Sequence, residues 1–393
     1  MENNKTPSIR FKGFTDPWEQ RKLNEIADKV TEKNAGLQYI ETFTNSAEFG
    51  IISQRDFFDH DIAKMSSLGG YYIVRNEDFV YNPRISTSAP VGPTNRNKLG
   101  RIGVMSPLYT VFRPHDVDTT YLEYFFKSKY WHSFMNFNGD SGARSDRFSI
   151  KDSVFFEMPI PLPYTEEQEK IGQYFSNLDN LITLHQRKYN KLLNVKKSML
   201  EKMFPKNGSN IPEIRFKGFT DPWEQRKVFE IADRFDNLRV PVAANLRIPG
   251  NTPYYGANGI QDYVEGYTHD GEYILVAEDG ASDLKNYPVN YVNGRIWVNN
   301  HAHVLQGKEK IANNKFLSYA MRLADIESVL VGGGRAKLNA DIMMNLDIAI
   351  PSFNEQEQIG AYFSNLDNLI TLRQRELEKL QNIKKSMLEK MFV

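Results

Sequence analysis

The chain has 393 residues, of which 40% are apolar and 25% charged, and 49 Lys and Arg balance 49 Asp and Glu. This zero net charge argues against a basic protein that coats nucleic acid without selectivity, while leaving room for local basic patches. The absence of cysteine excludes a disulfide scaffold, a thiolate metal site and a cysteine nucleophile and favours a cytoplasmic protein, and no apolar run reaches the roughly 18 residues of a membrane span.

Two segments of the chain occur twice. Residues 9–22 recur unchanged at 214–227, and residues 166–204 align without gaps with 354–392, where 30 of 39 positions are identical. The stretches that follow the short segments differ in both length and sequence. Solenoid repeats have short periods and similar interiors, so a solenoid does not fit this pattern. Near-identical ends around unrelated middles instead predict one scaffold that carries two different recognition modules.

The two middle stretches, 29–157 and 234–345, predict mixed modules of strands and helices. Each contains short runs of β-branched and aromatic residues bounded by turn residues, which is typical of strands. Each also contains a stretch of spaced apolar residues that is typical of a helix. The predicted strands are 71–74, 79–81, 108–112, 273–276 and 295–298, and the predicted helices are 121–135 and 315–330.

Both copies of the longer segment predict a long amphipathic helix. Their apolar residues recur at steps of three, four and seven, which indicates a coiled-coil-like seam. Pro163 and Pro351 precede the two copies at the same register. A helix of about 37 residues extends roughly 55 Å and cannot bury such a seam alone. We therefore expect the two helices to pack antiparallel as a spacer; the alternative is a pair of ordinary bundle helices within one domain. The residues predicted to pack these helices or to meet a partner are Ile171, Leu178, Leu181, Leu192, Val195, Ile359, Leu366, Leu369, Leu380 and Ile383.

These patterns divide the chain into six parts with a pseudo-two-fold internal repeat. A linker rich in Pro, Gly, Asn and Ser joins the two half-units. The predicted parts are a repeated N-terminal segment (1–28), a first module (29–157), a central spacer helix (158–204), a linker with the second repeated segment (205–233), a second module (234–345) and a C-terminal spacer helix (346–393). The predicted fold is α+β, with two globular α/β domains separated by two long antiparallel coiled-coil-like helices.

Both modules contain polar stretches that are rich in cations and lack acids. No acid occurs between Asp78 and Asp116 or between Asp283 and Glu309, whereas Arg, Lys and Asn are frequent there. Arg and Lys bind phosphates or guanine, and Asn reads adenine, so such stretches near glycine-rich turns suit a DNA surface. Solvated loops are the alternative interpretation. The predicted DNA-binding residues are Arg84, Arg96, Lys98, Arg144, Arg147, Lys285, Arg335 and Lys337.

The sequence contains no recognisable catalytic motif. A nucleotide-binding GxxxxGK[ST] loop is absent, because the glycines at 332–334 are not followed by GK[ST]. His301 and His303 have i, i+2 spacing, but no third ligand is evident, so no metal site is predicted. Neither a GxSxG elbow nor a distinctive nuclease cluster of acids is found. The chain is therefore predicted to have no catalytic residues and to perform no covalent chemistry itself.

The plan of two dissimilar modules alternating with two near-identical helices resembles the specificity subunit of type I restriction–modification enzymes. The segments that carry the resemblance are 160–163 (IPLP) followed by 167–171 (EQEKI), and 348–351 (IAIP) followed by 355–359 (EQEQI). In both copies LDNLITL and then KKSMLEKMF follow. Further segments that resemble parts of target recognition domains are 69–80, 103–112, 277–281 and 297–305. The resemblance covers nearly the whole chain.

This resemblance implies that each target recognition domain reads one half of a bipartite site on double-stranded DNA. It also implies that the helices set the gap between the half-sites and dock two methyltransferase subunits. Restriction, or motor, subunits complete such a complex, and S-adenosylmethionine, ATP and Mg belong to the partners, so no cofactor is expected in this chain. On the residues alone two other functions stay open: a non-catalytic protein-interaction scaffold with two unrelated binding modules, and a self-contained nuclease or methyltransferase, which the missing motifs disfavour.

Overall fold

The computed structural model describes residues 6–59, 63–140, 146–206, 208–332 and 336–392. The chain forms two compact units: Met1–Gln186 together with Arg375–Val393, and Arg187–Gln374. Each unit therefore contains one copy of the short repeated segment, one module and part of each long helix. Among the described residues, no helix is both long enough and apolar enough to traverse a bilayer.

The first unit combines small antiparallel sheets with short helices. Its strands are β1 (Glu19–Lys22), β2 (Ala27–Lys29), β3 (Phe43–Ser46), β4 (Gly50–Ser53), β5 (Tyr72–Val74), β6 (Phe79–Tyr81), β7 (Thr94–Arg96), β8 (Gly103–Met105), β9 (Thr110–Pro114) and β10 (Pro159–Leu162). Its helices are α1 (Gln54–Phe58), α2 (Thr119–Lys127), α3 (His132–Asn138), α4 (Asp152–Phe155) and the start of the long α5 (Thr165–Met203), with 3-10 turns at Leu23–Glu25 and Met65–Gly70. The strand order of its largest sheet is β2-β9-β6-β7, and β1 pairs with β10, β3 with β4 and β5 with β8.

Aromatic side chains form much of the core of the first unit. Phe79 and Phe112, on neighbouring strands, stack with ring centroids 5.4 Å apart, and both contact Phe126 of α2. Tyr81 stacks at 4.8 Å on Phe155 of α4. All five rings are buried, and large buried aromatic side chains contribute strongly to the stability of a core. This packing fixes the end of β6 and so the polar loop that follows it.

The second unit contains one large mixed sheet. Its strands are β11 (Glu224–Lys227), β12 (Ala232–Arg234), β13 (Pro249–Gly256), β14 (Gly259–Val264), β15 (His269–Ala277), β16 (Val289–Val298), β17 (Ala302–Gly307) and β18 (Asp347–Ile350). Its helices are α6 (Val228–Ile231), α7 (Asn314–Leu323), α8 (Ala340–Met344) and the start of the long α9 (Phe353–Lys390), with 3-10 turns at Asp236–Leu238, Ala244–Leu246 and Glu327–Val329. The strand order of the sheet is β12-β17-β15-β16-β13-β14, and β11 pairs with β18. The β13–β16 pair is parallel and the other pairs are antiparallel.

The two long helices contain 39 and 38 residues. In the first unit, the Asp179–Lys384 ion pair and a 3.3 Å contact between His185 and Glu376 join α5 to α9, so the two segments run in opposite directions. In the second unit, Lys196 and Asp367 form the matching ion pair between α5 and α9. The predicted α+β class with two long helices and an internal repeat is therefore confirmed.

The predicted packing residues differ in how deeply they are buried. Ile171, Leu178, Ile359 and Leu366 are buried, and Leu192, Val195, Leu380 and Ile383 are half-buried. Leu181 and Leu369, which occupy equivalent repeat positions, are 45% and 46% exposed. These two leucines leave apolar surface on α5 and on α9 that this chain does not cover completely.

Both predicted module helices end earlier than their apolar spacing indicates. The helix predicted at 121–135 is two helices, because Ser128 has extended backbone angles and its hydroxyl donates to the Phe125 carbonyl. The spacing continues beyond this break because Trp131 and Met135 pack into the same core. The helix predicted at 315–330 ends at Leu323, where Ala324 becomes extended. Apolar periodicity therefore correctly predicted that these stretches pack into the core, but wrongly predicted that each is one continuous helix.

Candidate nucleic-acid interface

In the first module, Arg84 and Arg147 lie opposite each other in an isolated antiparallel bridge. Backbone hydrogen bonds flank the bridge, from the Ile85 amide to the Asp146 carbonyl at 3.0 Å and from the Phe148 amide to the Pro83 carbonyl at 2.7 Å. Arg84 is exposed and Arg147 is half-buried. Within the described part of the chain, neither guanidinium forms an ion pair. Two unpaired cations on a hydrogen-bonded frame can bind phosphates without breaking an internal contact.

A cleft lies beside each of these two arginines. The Arg147 cleft has a volume of about 430 Å³, and its lining includes Lys29, Tyr72, Tyr109, Arg147 and Ser149. The Arg84 cleft has a volume of about 280 Å³, and its polar lining consists of Thr44, Asn45, Ser46, Asn82, Arg84, Ser86 and Tyr109. Tyr109 lines both clefts. Hydroxyl and guanidinium groups are among those that contact base edges in DNA complexes, whereas the amides of Asn45 and Asn82 already form hydrogen bonds within the chain.

Arg96 and Lys98 take part in an ion-pair network instead. The Arg96 side chain is 10% exposed and contacts Glu77 at 2.9 Å and Glu123 at 2.6 Å. Lys98 also binds Glu123, at 2.8 Å, although its own side chain is 54% exposed. Burial raises the pKa of Glu123, but the adjacent Lys127 and Lys98 lower it more, so the pKa falls to about 2. Arg96 therefore has the contacts of a structural residue, whereas the exposed Lys98 stays a predicted DNA contact.

In the second module, Lys285 and Lys337 have different surroundings. Lys285 is exposed in a turn where Asp283 accepts from its backbone amide at 2.9 Å. Lys337 pairs with Glu278 at 3.0 Å and keeps 47% of its side chain exposed. Two isolated bridges hold the backbone of Lys337, one to Asp279 and one to Val331. Lys285 is thus directly available to an anion, whereas Lys337 must exchange or share its carboxylate partner.

A buried charge cluster lies beside Lys337. His303 is 1% exposed, contacts Asp236 through Nδ1 at 2.7 Å and donates from Nε2 to the Leu338 carbonyl at 2.9 Å. Arg239 binds Glu278 at 2.7 Å. Burial raises the pKa of Asp236, but the hydrogen bond and charge of His303 outweigh it, so the pKa is lowered.

The geometry of this cluster also meets the first requirement of a metal site. One donor atom each from Asp236, Glu278 and His303 lies within 4.8 Å of the others. These donor atoms, however, already pair with each other or with Arg239 and Lys337. A cation would have to displace those basic side chains, so the donor set fits an internal salt-bridge network better than a metal.

Each module contacts a long helix through the same pair of residue types. Tyr124 donates to Asp179 at 2.8 Å in the first unit, and Tyr319 donates to Asp367 at 2.7 Å in the second. A family model described as "Type I restriction modification DNA specificity domain" matches residues 15–194 and 220–382. The chain belongs to this family. Each match begins in a short repeated segment, includes one whole module and ends within a long helix.

Individual relatives of this specificity-domain chain agree with the family assignment. A protein from Haemophilus influenzae that is named as a type I restriction enzyme specificity subunit is 44% identical over 154 residues, and the match spans 39% of each chain. The type I restriction enzyme MjaVIII specificity subunit of Methanocaldococcus jannaschii is 24% identical over 326 residues, which cover 74% of this chain and 73% of that one. The crystal structure of the S subunit of a type I restriction-modification system from M. genitalium has a TM-score of 0.67 at 14% identity and covers 99% of both chains. At that identity, the structural likeness shows the fold alone.

Arg144 and Arg335 lie outside the described residues, so their predicted roles in this specificity-domain chain stay predictions. Other residues that line the Arg84 cleft, above all Thr44 and Ser46, were not predicted from the sequence. These residues lie before the acid-free stretch, and only the β3–β4 hairpin brings them beside Arg84. Their polar character gave no signal, because isolated Ser and Thr residues are common on protein surfaces.

Proposed function

We propose that this chain is the non-catalytic DNA-recognition subunit of a type I restriction–modification complex in the cytoplasm. Each module reads one half of a bipartite double-stranded target. The observation that carries the proposal is the combination of two unlike modules with one scaffold whose contacts occur twice. A repeated scaffold presents each module in the same way, while the unlike modules provide two different base-reading surfaces.

The proposed DNA surface of the first module is centred on Arg84 and Arg147. Both guanidinium groups lie beside polar clefts, and neither is committed to a carboxylate of the described chain. In the second module the surface includes Lys285 and Lys337. Contacts to phosphate position a protein on DNA, and contacts to base edges provide specificity. Arg side chains serve both purposes, because a guanidinium binds phosphate or the guanine O6/N7 edge.

The proposed partner surface lies on the long helices. Leu181 and Leu184 on α5 are 45% and 46% exposed, and their repeat equivalents Leu369 and Leu372 on α9 are 46% and 50% exposed. Two equivalent apolar patches suit two copies of one partner, because each copy would meet the same side chains. We assign these patches to two methyltransferase subunits. S-adenosylmethionine, ATP and Mg would then be bound by the methyltransferase and restriction subunits, which carry out the catalysis.

The test is to express the chain with its methyltransferase subunits and to map the methylated positions in DNA by sequencing. We expect one bipartite motif with a fixed gap, and specific binding that weakens steeply as salt rises. We expect no methyl transfer by the purified chain alone when S-adenosylmethionine is supplied. Methyl transfer by the chain alone, or methylation without a bipartite motif, contradicts the proposal.

A further inference from the structure

Three phenylalanines form an exposed cluster, and two of them, Phe57 and Phe58, line the Arg84 cleft. Phe49, Phe57 and Phe58 are 60%, 40% and 37% exposed. Their rings meet edge to face, at 6.1 Å between Phe49 and Phe57 and at 4.6 Å between Phe57 and Phe58. Contiguous exposed apolar surface usually marks a binding site, whereas single exposed apolar residues need no explanation. We call these three side chains the Phe cluster.

The Phe cluster stands on a firmly held hairpin. Phe49 lies in the turn between β3 and β4, and Phe57 and Phe58 belong to α1, which directly follows β4. Asn45 of β3 is 2% exposed and donates to the carbonyls of Val80 and Pro93, at 2.6 and 3.2 Å.

Two further asparagine side chains, Asn82 and Asn95, also hold the β3–β4 hairpin in place. Asn95 donates to the Asn45 side chain at 2.7 Å, and Asn82 donates to the Asn45 carbonyl at 2.8 Å. The start of α1 is fixed as well, because the Gln54 amide donates to the Thr42 carbonyl at 2.8 Å. A buried polar network of this kind holds its members in one arrangement. The rings are therefore presented on a rigid base.

The cleft beside the Phe cluster has polar and basic side chains that suit duplex DNA. Phe57 and Phe58 line the same cleft as Arg84, Asn82 and Ser86. An apolar rim lies here beside a cation that forms no ion pair with the described residues, and this combination is complementary to the bases and phosphates of a nucleic acid. Proteins that bend DNA insert Phe and other apolar side chains between base steps and thereby unstack them.

We propose that the Phe cluster is a wedge that inserts at one base step of the half-site read by the first module, while Arg84 binds the adjacent backbone or base edge. This inference rests on the proposed function and adds a shape-dependent component to it. The cost of opening a base step depends on its sequence, and pyrimidine–purine steps open most easily. The wedge would thus select such a step even without a hydrogen bond to its bases.

The experiment uses the full chain in complex with its methyltransferase subunits and duplexes that carry 2-aminopurine, one position at a time, across the first module's half-site. The fluorescence of 2-aminopurine rises when the base unstacks. We expect the wild type to show one bright step in this half-site in addition to the adenine that the methyltransferase subunits flip out. This additional signal should be lost in the Phe57→Ala/Phe58→Ala variant. Affinity for the specific duplex should fall at least about fivefold. Phe57→Leu/Phe58→Leu should keep part of both signals, because leucine also acts as an apolar wedge.

The control is Phe229→Ala, which removes a phenylalanine that is 50% exposed in the other unit and should change neither readout. Unchanged fluorescence and affinity in the double alanine variant would overturn the wedge while specific binding still supported the proposed function. If the double alanine variant no longer bound the methyltransferase subunits, the Phe cluster would be a protein-docking surface and the wedge proposal would be wrong. A wild-type complex without specific DNA binding would contradict the proposed function itself.

Discussion

Arg10 donates two hydrogen bonds of 2.7 Å to the carboxylate of Glu167, although 157 residues separate the two in the chain. Arg215 forms the same pair with Glu355, at 2.8 and 2.6 Å. The arginine side chains are 14% and 11% exposed, and both carboxylates are 1% exposed. Each short repeated segment is therefore tied to the start of a long helix by a bidentate ion pair. The two copies of the repeated sequence therefore form the same contact.

Removal of either arginine should destabilise its own unit. Arg10→Ala leaves the Glu167 carboxylate buried without its cation, which costs about 3 kcal/mol of unfolding free energy or more. Arg215→Ala should have a similar effect in the second unit. Arg21→Ala is the control, because Arg21 forms an exposed pair with Glu25 that contributes at most about 1 kcal/mol. Urea unfolding measures the loss of unfolding free energy in the three variants. Equal losses for Arg10→Ala and Arg21→Ala would contradict a stabilising role of the Arg10–Glu167 pair.

Stability should depend on pH through Glu123. Its pKa lies at about 2 in the folded chain, below the ordinary 4.5. Because the folded-state pKa is depressed, the stabilising contribution is complete above about pH 4.5 and disappears as the pH falls towards 2. The unfolding free energy of the wild type relative to Glu123→Gln should therefore shrink by about 3 kcal/mol over this window.

The measurement for Glu123 is urea unfolding at intervals between pH 2 and pH 6. Glu41→Gln is the control, since Glu41 pairs with Arg101 at the surface and both side chains are at least one-third exposed. Its difference from the wild type should change by at most about 1 kcal/mol, which is the most that an exposed ion pair contributes. A constant difference for Glu123→Gln would show that the carboxylate is not stabilised by Lys98 and Lys127.

Sequence patterns predicted the elements better than the partners of charged residues. The long helices were predictable because their apolar spacing and lack of internal proline specify a helix without tertiary information. Arg96 shows the limit. It lies in an acid-free stretch, yet the fold brings Glu77 and Glu123 to its guanidinium from separate segments. Local charge composition cannot show such pairing, whereas Arg84 from the same stretch keeps an unpaired guanidinium among the described residues.

Arg84 and Arg147 should differ from Arg101 in their effect on DNA binding. Alanine at an arginine that reads guanine should cost about 1–3 kcal/mol and relax one target position, whereas alanine at a phosphate contact should weaken all sequences alike and lower the salt slope by about one. Arg101→Ala is a matched control in the same module, because Arg101 already binds Glu41. Binding titrations at several salt concentrations separate these outcomes. Wild-type affinity in both test variants would place the DNA surface elsewhere.

Exchange of the first module should change only half of the target. Replacing 29–157 with another module of the same kind leaves the repeated segments and long helices in place, including the Arg10–Glu167 pair. Methylation sequencing should therefore find one new half-site, the old second half-site and the old gap. The reciprocal replacement of 234–345 provides the control. A change in both half-sites would show that the modules do not read DNA independently.

Lengthening both long helices should widen the gap between the half-sites. We suggest inserting four residues after Gln186 in α5 and after Gln374 in α9, where the chain passes between its two units. Because both helices receive the same insertion, the Asp179–Lys384 pair of the first unit and the Lys196–Asp367 pair of the second unit stay in register. Four residues add about 6 Å and slightly more than one turn, so the apolar seam stays nearly aligned. At about 3.4 Å per base pair, the preferred gap should grow by about one or two base pairs, with the same bases read on either side.

The control is an insertion of two residues in each helix, which rotates the seam by about 200° and should prevent a folded, active complex. Methylation of targets that differ only in gap length measures the result, and an unchanged preferred gap in an active four-residue variant would show that the helices do not set the spacing.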